Sequence, residues 1–447
     1  MAKNIESWSL SYEILRFFVK IAHRIYYKKI IIEGKKNIPE NTPVIFAPNH
    51  QNALMDALVL VTTLKEQIIF LGRADIFKKK FIAFLLKKLK ILPVYRIRDG
   101  YDSLQKNKDI FDEAALILSK KKALCIFPEA THNDKRALLP LKKGLAKIAL
   151  QAQNLYPSSN IKIVPVGIYY SNYFNLRGIL QVKFGNAISV SQYKEAYNNE
   201  PQKCIKKLTS DIRDKIDKLI INIQDTDNYE TYEELRNINT SYLKSKKTLK
   251  KYDQRKKLII DKKLVSFLER VFTKNIIFLN NIKLEIKKYV NLKNKLNINE
   301  KILANKKPSL ISLISYSLIL IALSPIFVFG FLNNIINYSL VKYFIKKVKD
   351  PQFHSSFKFG LGLVLFPLIY LIQTIIFSCF INKRIYIIIY FFSLPLSGYF
   401  AYFYAEKFLQ LIDEWNLYRY FKTKNIKFLE LKRIRKKITD FLDTSDV

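Results

Sequence analysis

The stretch PVIFAPNHQNALMD, residues 43–56, decides the class of fold. An apolar run ends at Asn49 and His50, and an apolar helical pattern with one carboxylate, Asp56, begins at once. Short β-rich runs recur further along the chain, and helical stretches separate them. The runs cover residues 43–47, 68–71, 123–127, 161–168 and 181–184, and the helical stretches include residues 53–64, 77–89, 101–119 and 141–154. Strands that alternate with helices predict an α/β domain, which we place at residues 29–225.

Four short boxes occur in this domain in a fixed order. They are NHQNALMD (49–56), ILPVYRIRDG (91–100), CIFPEATH (125–132) and IVPVG (163–167). Each box alone occurs by chance in many proteins. In this order and spacing they resemble the boxes of the glycerophospholipid acyltransferases, the family of lysophosphatidic acid and glycerol-3-phosphate acyltransferases. The segments FLGRADIF (70–77) and LKKG (141–144) resemble further parts of that family.

The resemblance implies transfer of a fatty acyl group from acyl-CoA or acyl carrier protein to glycerol 3-phosphate or 1-acylglycerol 3-phosphate. We rate the two acceptors nearly equal. The reaction implies no cofactor and no metal. It needs a base that takes the hydroxyl proton, and histidine suits this because its unperturbed pKa of about 6.5 lies near working pH. A positioned base contributes roughly 10²–10⁴-fold to the rate. We assign His50 as the base and Asp56 as the residue that orients its ring.

The acceptor would bring a phosphate, and arginine matches phosphate with two parallel hydrogen bonds. We expect Arg96 to be the first phosphate ligand, Arg73 the second and Arg98 a fallback. Glu129 resembles the glutamate of the Phe-Pro-Glu box, and it would contact the acceptor hydroxyl or order the arginines. Backbone N–H groups near the start of the helix after His50 are candidates for oxyanion stabilisation.

Two boxes depart from the commonest family pattern. Five residues separate His50 from Asp56, where four are common, so the first helical turn must be looser for the side chains to meet. Ala130 stands where glycine is usual and would be strained if the site needs a positive φ. His132 stands where arginine is common, so Lys135 or Arg136 would have to substitute for that arginine. For His132 we favour a solvent-exposed loop position over a contact with the substrate.

Composition points to a membrane or to phosphate-rich partners. The formal net charge is +39, from 76 Lys and Arg against 37 Asp and Glu. A/T-rich codon bias is an equally good source of much of this charge. The basic residues are not interleaved with a recognisable nucleic-acid module, so we expect no nucleic-acid partner. Three widely spaced cysteines favour a reducing compartment, and the N-terminal sequence predicts no secretory signal.

The remaining segments predict membrane attachment. Residues 1–28 form a basic amphipathic helix that either lies in a membrane interface or packs on the next domain. Residues 226–306 predict a charged helical connector, residues 307–410 a transmembrane region, and residues 411–447 a basic cytoplasmic tail. The transmembrane region has apolar runs at 311–336, 359–381 and 385–404, long enough for a hydrocarbon core that needs about 20 residues.

The path of the first apolar run is a separate prediction. Ser324, Pro325 and Gly330 would bend it into a re-entrant or twice-dipping segment. The basic loop 342–349 and the tail both belong on the cytoplasmic side by the positive-inside rule, so we expect that the run does not simply cross.

The sequence therefore predicts an integral membrane acyltransferase of phospholipid biosynthesis with an α/β catalytic domain facing the cytoplasm. The alternative is a non-catalytic membrane-binding protein on the same fold.

Overall fold

The computed structural model describes residues 5–78, 80–95, 101–174, 176–245, 254–304 and 308–444. The chain divides into two compact units. The first consists of Met1–Gln224 and Val348–Leu363, and the second of Asp225–Lys347 and Val364–Val447. The first unit thus holds all four boxes together with a short segment from the apolar region.

The first unit alternates strands and helices, which confirms the predicted α/β class. Its strands are β1 (Lys29–Glu33), β2 (Val44–Pro48), β3 (Ile69–Arg73), β4 (Ile91–Val94), β5 (Ala123–Ile126), β6 (Lys162–Tyr170), β7 (Ile179–Phe184) and β8 (Ile188–Ser189). Its helices are α1 (Leu10–Tyr26), α2 (Ala53–Thr63), α3 (Lys80–Lys88), α4 (Tyr101–Ser119), α5 (Gly144–Leu155), α6 (Lys194–Asn199) and α7 (Pro201–Asp217). Strands β1, β4 and β8 were not among the predicted runs.

The strands form one mixed sheet in the order β1-β7-β6-β2-β5-β3-β4, with β8 paired to β6. The strands from β6 to β4 are parallel, whereas β7 runs antiparallel to β6. Strand β2 lies between β5 and β6, and Phe46 pairs with both Cys125 and Val164. The carboxyl ends of β2 and β5 therefore meet at one edge of the sheet, which brings the first box beside the third.

Helices cover both faces of the sheet, because successive strand side chains point to opposite sides. Ile45 packs in a core with residues of α4, α5 and α7. Phe46, the next residue, packs in the other core with residues of α1 and α2. This three-layer arrangement buries the sheet and leaves its carboxyl edge as the place where polar side chains gather.

The second unit is helical, as predicted for the region after the α/β domain. Its helices are α8 (Tyr229–Ser245), α9 (Gln254–Lys274), α10 (Ile276–Lys295), α11 (Glu300–Leu303), α12 (Leu310–Lys346), α13 (His354–Ser378, of which the part from Val364 belongs here), α14 (Arg384–Lys422) and α15 (Ile426–Asp443). A buried carboxylate of α9, Asp261, joins this helix to α8 through an ion pair with Arg236 at 2.6 Å, and it forms a second ion pair with Lys257 of its own helix at 2.8 Å. The charged residues of this region thus build the packing between helices.

Three helices among the described residues are long and apolar enough to cross a membrane: Leu310–Lys346, Pro351–Ser378 and Arg384–Lys422. The predicted re-entrant break in the first of them is wrong, because α12 continues as one helix through Pro325. Proline at that position removes the N–H that would bond the carbonyl of Ile321. The hydroxyl of Ser324 donates to that carbonyl at 2.8 Å and satisfies it locally. The side of the membrane on which each end of α12 lies stays a prediction.

Candidate active site

His50 follows the carboxyl end of β2, and its ring meets Asp56 in the first turn of α2. Nδ1 of His50 lies 2.9 Å from Oδ2 of Asp56. Asp56 is fully buried, whereas the His50 side chain keeps 17% of its surface exposed. A carboxylate at Nδ1 favours the tautomer with its proton on that nitrogen and leaves the lone pair of Nε2 for another partner. The pair thus has the arrangement of a general base and its orienting acid.

Asp56 is held by hydrogen-bond contacts with four groups. Oδ2 accepts from the backbone N–H groups of Gln51 and Asn52, both at 2.8 Å, in addition to its contact with His50. Oδ1 accepts from the hydroxyl of Tyr170 at 2.8 Å. The two N–H groups at the start of the helix, which were candidates for oxyanion stabilisation, therefore serve the aspartate in this structure.

The extra residue between His50 and Asp56 is absorbed before the helix begins. Asn52 has φ −141° and ψ 44°, and Ala53 has a positive φ of 42°. With these angles the chain bulges outward at the start of α2. The bulge accommodates the extra residue, and Asp56 in the first turn faces His50. The looser first turn that the spacing required is present.

Glu129 braces the backbone of His50. Its Oε1 accepts from the N–H of His50 at 2.6 Å, and its Oε2 accepts from the N–H of Leu139 at 2.9 Å. Burial raises the pKa of Glu129 to about 8, against the opposite effect of these two hydrogen bonds. Both carboxyl oxygens are thus occupied by the protein. A contact with an acceptor, as suggested by the sequence, would require one of these bonds to open.

The residue after Glu129 has the backbone conformation that glycine prefers. Ala130 has φ 58°, and its N–H donates to the carbonyl of Phe127 at 3.1 Å. An L-residue in this left-handed region costs about 1–2 kcal/mol. The third box therefore keeps the turn that the family's usual glycine would favour, with an alanine under strain.

Aromatic rings surround the candidate base. The ring of Phe127 stacks on His50 with centroids 4.1 Å apart, and the ring of His132 meets His50 edge-on at 5.3 Å. His132 also contacts Phe353 at 4.8 Å. Its Nε2 is buried and has no hydrogen-bond partner among the described residues. The expectation of a solvent-exposed loop position for His132 is wrong, because the loop folds back over the site and Phe353 covers the ring.

Arg73 is near this cluster, and the other two arginines cannot be placed. Arg73 forms an ion pair with Asp75 through Nη2 and a hydrogen bond through Nε at 3.1 Å. Burial is the main cause that lowers the pKa of His132, and the carboxylates of Asp56 and Asp350 oppose it. Arg73 ends β3, which pairs with β5, so it lies at the carboxyl edge of the sheet beside the third box. Arg96 and Arg98 lie outside the described residues, so their roles as phosphate ligands stay predictions.

The two residues considered as substitutes for the family's arginine have different surroundings. Arg136 is buried, and its Nη2 donates to the backbone carbonyl of Tyr170 at 2.8 Å. Its guanidinium lies over the rings of Tyr169 and Tyr173. Lys135 is exposed, and its carbonyl accepts from the Gln51 side chain at 3.1 Å. Arg136 therefore supports the strand end that carries Tyr170.

Sequence reasoning missed Tyr170 and the groups that hold Asn52. Tyr170 ends β6, where an aromatic residue is typical of a buried strand, and nothing local marks its hydroxyl as a partner of Asp56.

The described residues contain no group of three His, Cys, Asp or Glu side chains that could hold a metal ion.

Comparison with known proteins agrees with the boxes. A family model described as Acyltransferase matches residues 29–169. The chain is 27% identical over 208 residues to glycerol-3-phosphate O-acyltransferase 2 of Saccharomyces cerevisiae, a match covering 44% of this chain and 27% of that protein. It is 28% identical over 181 residues to 1-acyl-sn-glycerol-3-phosphate acyltransferase of Borreliella burgdorferi, covering 40% of this chain and 66% of that protein. The chain thus matches only part of the length of these relatives.

Among solved structures, the chain is similar to the 1-acyl-sn-glycerophosphate acyltransferase of Thermotoga maritima. The identity is 18% and the TM-score 0.33, and the match covers 45% of this chain and 78% of that one.

Proposed function

Because a family model described as Acyltransferase matches residues 29–169, we propose that the chain is a membrane-bound enzyme that acylates a glycerol-phosphate hydroxyl. The acyl donor is acyl-CoA or acyl carrier protein, and the acceptor is glycerol 3-phosphate or its 1-acyl derivative. The observation that carries the proposal is the His50–Asp56 hydrogen bond of 2.9 Å at the carboxyl edge of the sheet. The two relatives named above act on these two acceptors according to their names, so both remain in the proposal.

The chemistry follows from the free nitrogen of His50. Nε2 takes the proton of the acceptor hydroxyl while the oxygen attacks the thioester carbonyl carbon. The tetrahedral intermediate collapses with cleavage of the C–S bond, and the thiolate leaves with the proton from His50. Asp56 stabilises the imidazolium that exists between these two steps. No acyl-enzyme is needed, because the acceptor oxygen attacks the donor directly.

The phosphate of the acceptor requires cationic ligands. Arg73 supports this role because it ends β3, which pairs with β5, at the same carboxyl edge of the sheet that His50 follows. Its pairing with Asp75 lies on a partly exposed surface, where an ion pair contributes at most about 1 kcal/mol and exchanges readily for a dianion. Arg96 is proposed as the first ligand and Arg98 as its fallback, from their places in the second box.

Membrane attachment is supported by two features of the chain. Helix α1 packs one face, including Tyr12, Val19 and His23, on the α/β domain. Its other face exposes a row of large apolar residues: Leu10, Ile14, Phe17, Phe18, Ile21 and Ile25. An exposed apolar face flanked by basic residues is typical of a helix in a membrane interface. Together with the three long apolar helices, this favours a catalytic domain on the membrane surface, and we propose that it faces the cytoplasm.

The test is acyl transfer by the purified full chain, with both donors and both acceptors. We expect product from the wild type and at least a hundredfold lower rate from His50→Ala, in line with roughly 10²–10⁴-fold for a positioned base. Equal rates would exclude His50 as the base. A wild type that makes no product with any pair, yet binds vesicles, would favour the non-catalytic membrane-binding alternative.

The proposed phosphate ligands are tested in the same assay. Arg96→Ala and Arg73→Ala should raise the KM for glycerol phosphate and recover rate at high acceptor concentration. A loss of kcat that high acceptor does not recover would contradict the role as phosphate ligand.

A further inference from the structure

The segment Val348–Leu363 consists of the connection that follows α12 and the first turns of α13, and it packs within the first unit. Its beginning is a defined turn. The Asp350 side chain accepts from the N–H of Gln352 at 3.0 Å, and a 3-10 turn over Pro351–Phe353 leads into α13. Nε2 of His354 lies 3.0 Å from the carbonyl of Val348 and closes the turn. The segment therefore presents its following side chains in fixed directions.

Those side chains contact the acyltransferase domain at four places. Phe353 covers His132, Ser355 donates to Asn52, Lys358 donates to the carbonyl of Phe174 at 3.0 Å, and Phe359 contacts the ring of His23 at 4.9 Å. Of these contacts, the hydrogen bond from Oγ of Ser355 to Oδ1 of Asn52 reaches the first box directly. Ser355 is fully buried, and Asn52 is 2% exposed.

Asn52 is the residue at which the extra length of the first box is looped out. Its N–H donates to Asp56 at 2.8 Å, and its carbonyl accepts from Met55 at 2.9 Å. Its side-chain Nδ2 donates to the carbonyl of Tyr173 at 3.4 Å. Ser355 supplies the hydrogen bond to the remaining side-chain oxygen. The conformation of Asn52, which aims its N–H at Asp56, thus depends on a donor from outside the α/β domain.

We propose that Ser355 is a positioning residue of the acyltransferase site: through Asn52 it fixes the loop that aligns Asp56 with His50. The inference rests on the proposed function. It assigns to the start of α13 a part in the catalytic domain, which is then complete only when residues 348–363 are docked.

The experiment is a double-mutant cycle on the full chain in detergent or vesicles, with acyl transfer as readout. Ser355→Ala should lower kcat by about 5- to 10-fold, the effect of one buried hydrogen bond, with KM values for donor and acceptor unchanged. Asn52→Ala should cause a loss of at least that size. Because Ser355 acts only through Asn52, the double variant should be no slower than Asn52→Ala alone.

A matched control is one residue away. Ser356 is also buried, and its hydroxyl has no hydrogen-bond partner among the described residues, so Ser356→Ala should keep the wild-type kcat. If Ser355→Ala does not fold, Ser355→Cys keeps a weak donor of similar size and should show a smaller loss of kcat with the same dependence on Asn52.

The outcomes separate this inference from the proposed function. If the wild type is active and Ser355→Ala has the same kcat, the role of Ser355 is overturned while the proposed function stands. The same conclusion follows if the losses of kcat in the two single variants multiply in the double variant. An equal loss of kcat in Ser356→Ala would mean that the effect comes from general packing, which would also overturn the positioning role of Ser355. A wild type without acyl transfer would overturn the proposed function, and this role with it.

Discussion

The hydroxyl of Tyr170 lies 2.8 Å from Oδ1 of Asp56, whose other oxygen faces His50. Asp56 is therefore held at both oxygens, and Tyr170→Phe removes one hydrogen bond while it keeps the ring. We expect kcat for acyl transfer to fall about tenfold, as for a hydrogen bond to a charged group. Tyr169→Phe is the control, because the Tyr169 hydroxyl is buried and has no hydrogen-bond partner among the described residues. Equal effects of the two variants would contradict the role of Tyr170.

Glu129 offers a second test of how the base is positioned. A glutamine at this site has only one accepting atom, so one of the N–H groups of His50 and Leu139 would face an amide NH₂. We expect Glu129→Gln to lose about 1–3 kcal/mol of stability, with a lower kcat because the His50 backbone shifts. Thermal unfolding and initial rates measure the two effects. Glu66 is exposed, so Glu66→Gln should change neither the melting temperature nor the initial rate. Wild-type stability and rate in Glu129→Gln would contradict the role of Glu129 in positioning the backbone of His50.

The strain at Ala130 predicts a stabilising substitution. Glycine adopts a φ of 58° without steric cost, so Ala130→Gly should relieve about 1 kcal/mol and raise the melting temperature by about 2–4 °C. Ala196 in α6 is exposed and helical, and Ala196→Gly should lower the melting temperature instead. A lower melting temperature for Ala130→Gly would show that the methyl group contributes more by packing than it costs in strain.

The alternation of strands and helices and the meeting of His50 with Asp56 could be predicted because both depend on residues close together in the sequence. The alternation of Ile45 and Phe46 indicates two buried faces, and the first box, directly after β2, indicates the carboxyl edge of the sheet. Tyr170 could not be found in this way. Its contact with Asp56 spans 114 positions, and its pattern is that of any buried strand residue.

The same limit explains the wrong prediction for His132. Pro325 is a different, local case: it reads as a break, whereas the neighbouring Ser324 hydroxyl donates to the freed carbonyl of Ile321 within the helix. His132 lies in a loop as predicted but is not solvent-exposed, because the ring that covers it, Phe353, comes from a distant part of the chain. Ser355 lies 303 positions from Asn52, so no spacing within the boxes could have indicated it.

His23 predicts a loss of stability in acid. It is 1% exposed, its Nδ1 lies 3.0 Å from the Thr62 hydroxyl, and burial lowers its pKa to about 4. Between pH 6.5 and 4 the unfolded chain binds a proton at His23 and the folded chain does not. Stability therefore falls as pH decreases through this range, by up to about 3 kcal/mol.

The measurement is the change in melting temperature between pH 7 and pH 4.5. His23→Asn removes the titrating group and should show a smaller change than the wild type, whatever its stability at pH 7. Lys20→Asn, exposed on the same helix, should keep the wild-type change. An unchanged pH dependence in His23→Asn would mean that His23 is protonated in the folded chain.

The cysteines allow a test of membrane sidedness. Cys379 is exposed in the connection between α13 and α14, whereas Cys125 and Cys204 are buried. Residues 348–363 pack with the catalytic domain, so the basic loop before them should lie on the same side of the membrane as that domain.

We expect a membrane-impermeant maleimide to label Cys379 in intact cells. Lys349→Cys in a Cys379→Ser background should be labelled only after permeabilisation. Labelling of Lys349→Cys from outside would contradict a cytoplasmic catalytic domain, since the loop and the domain form one compact unit.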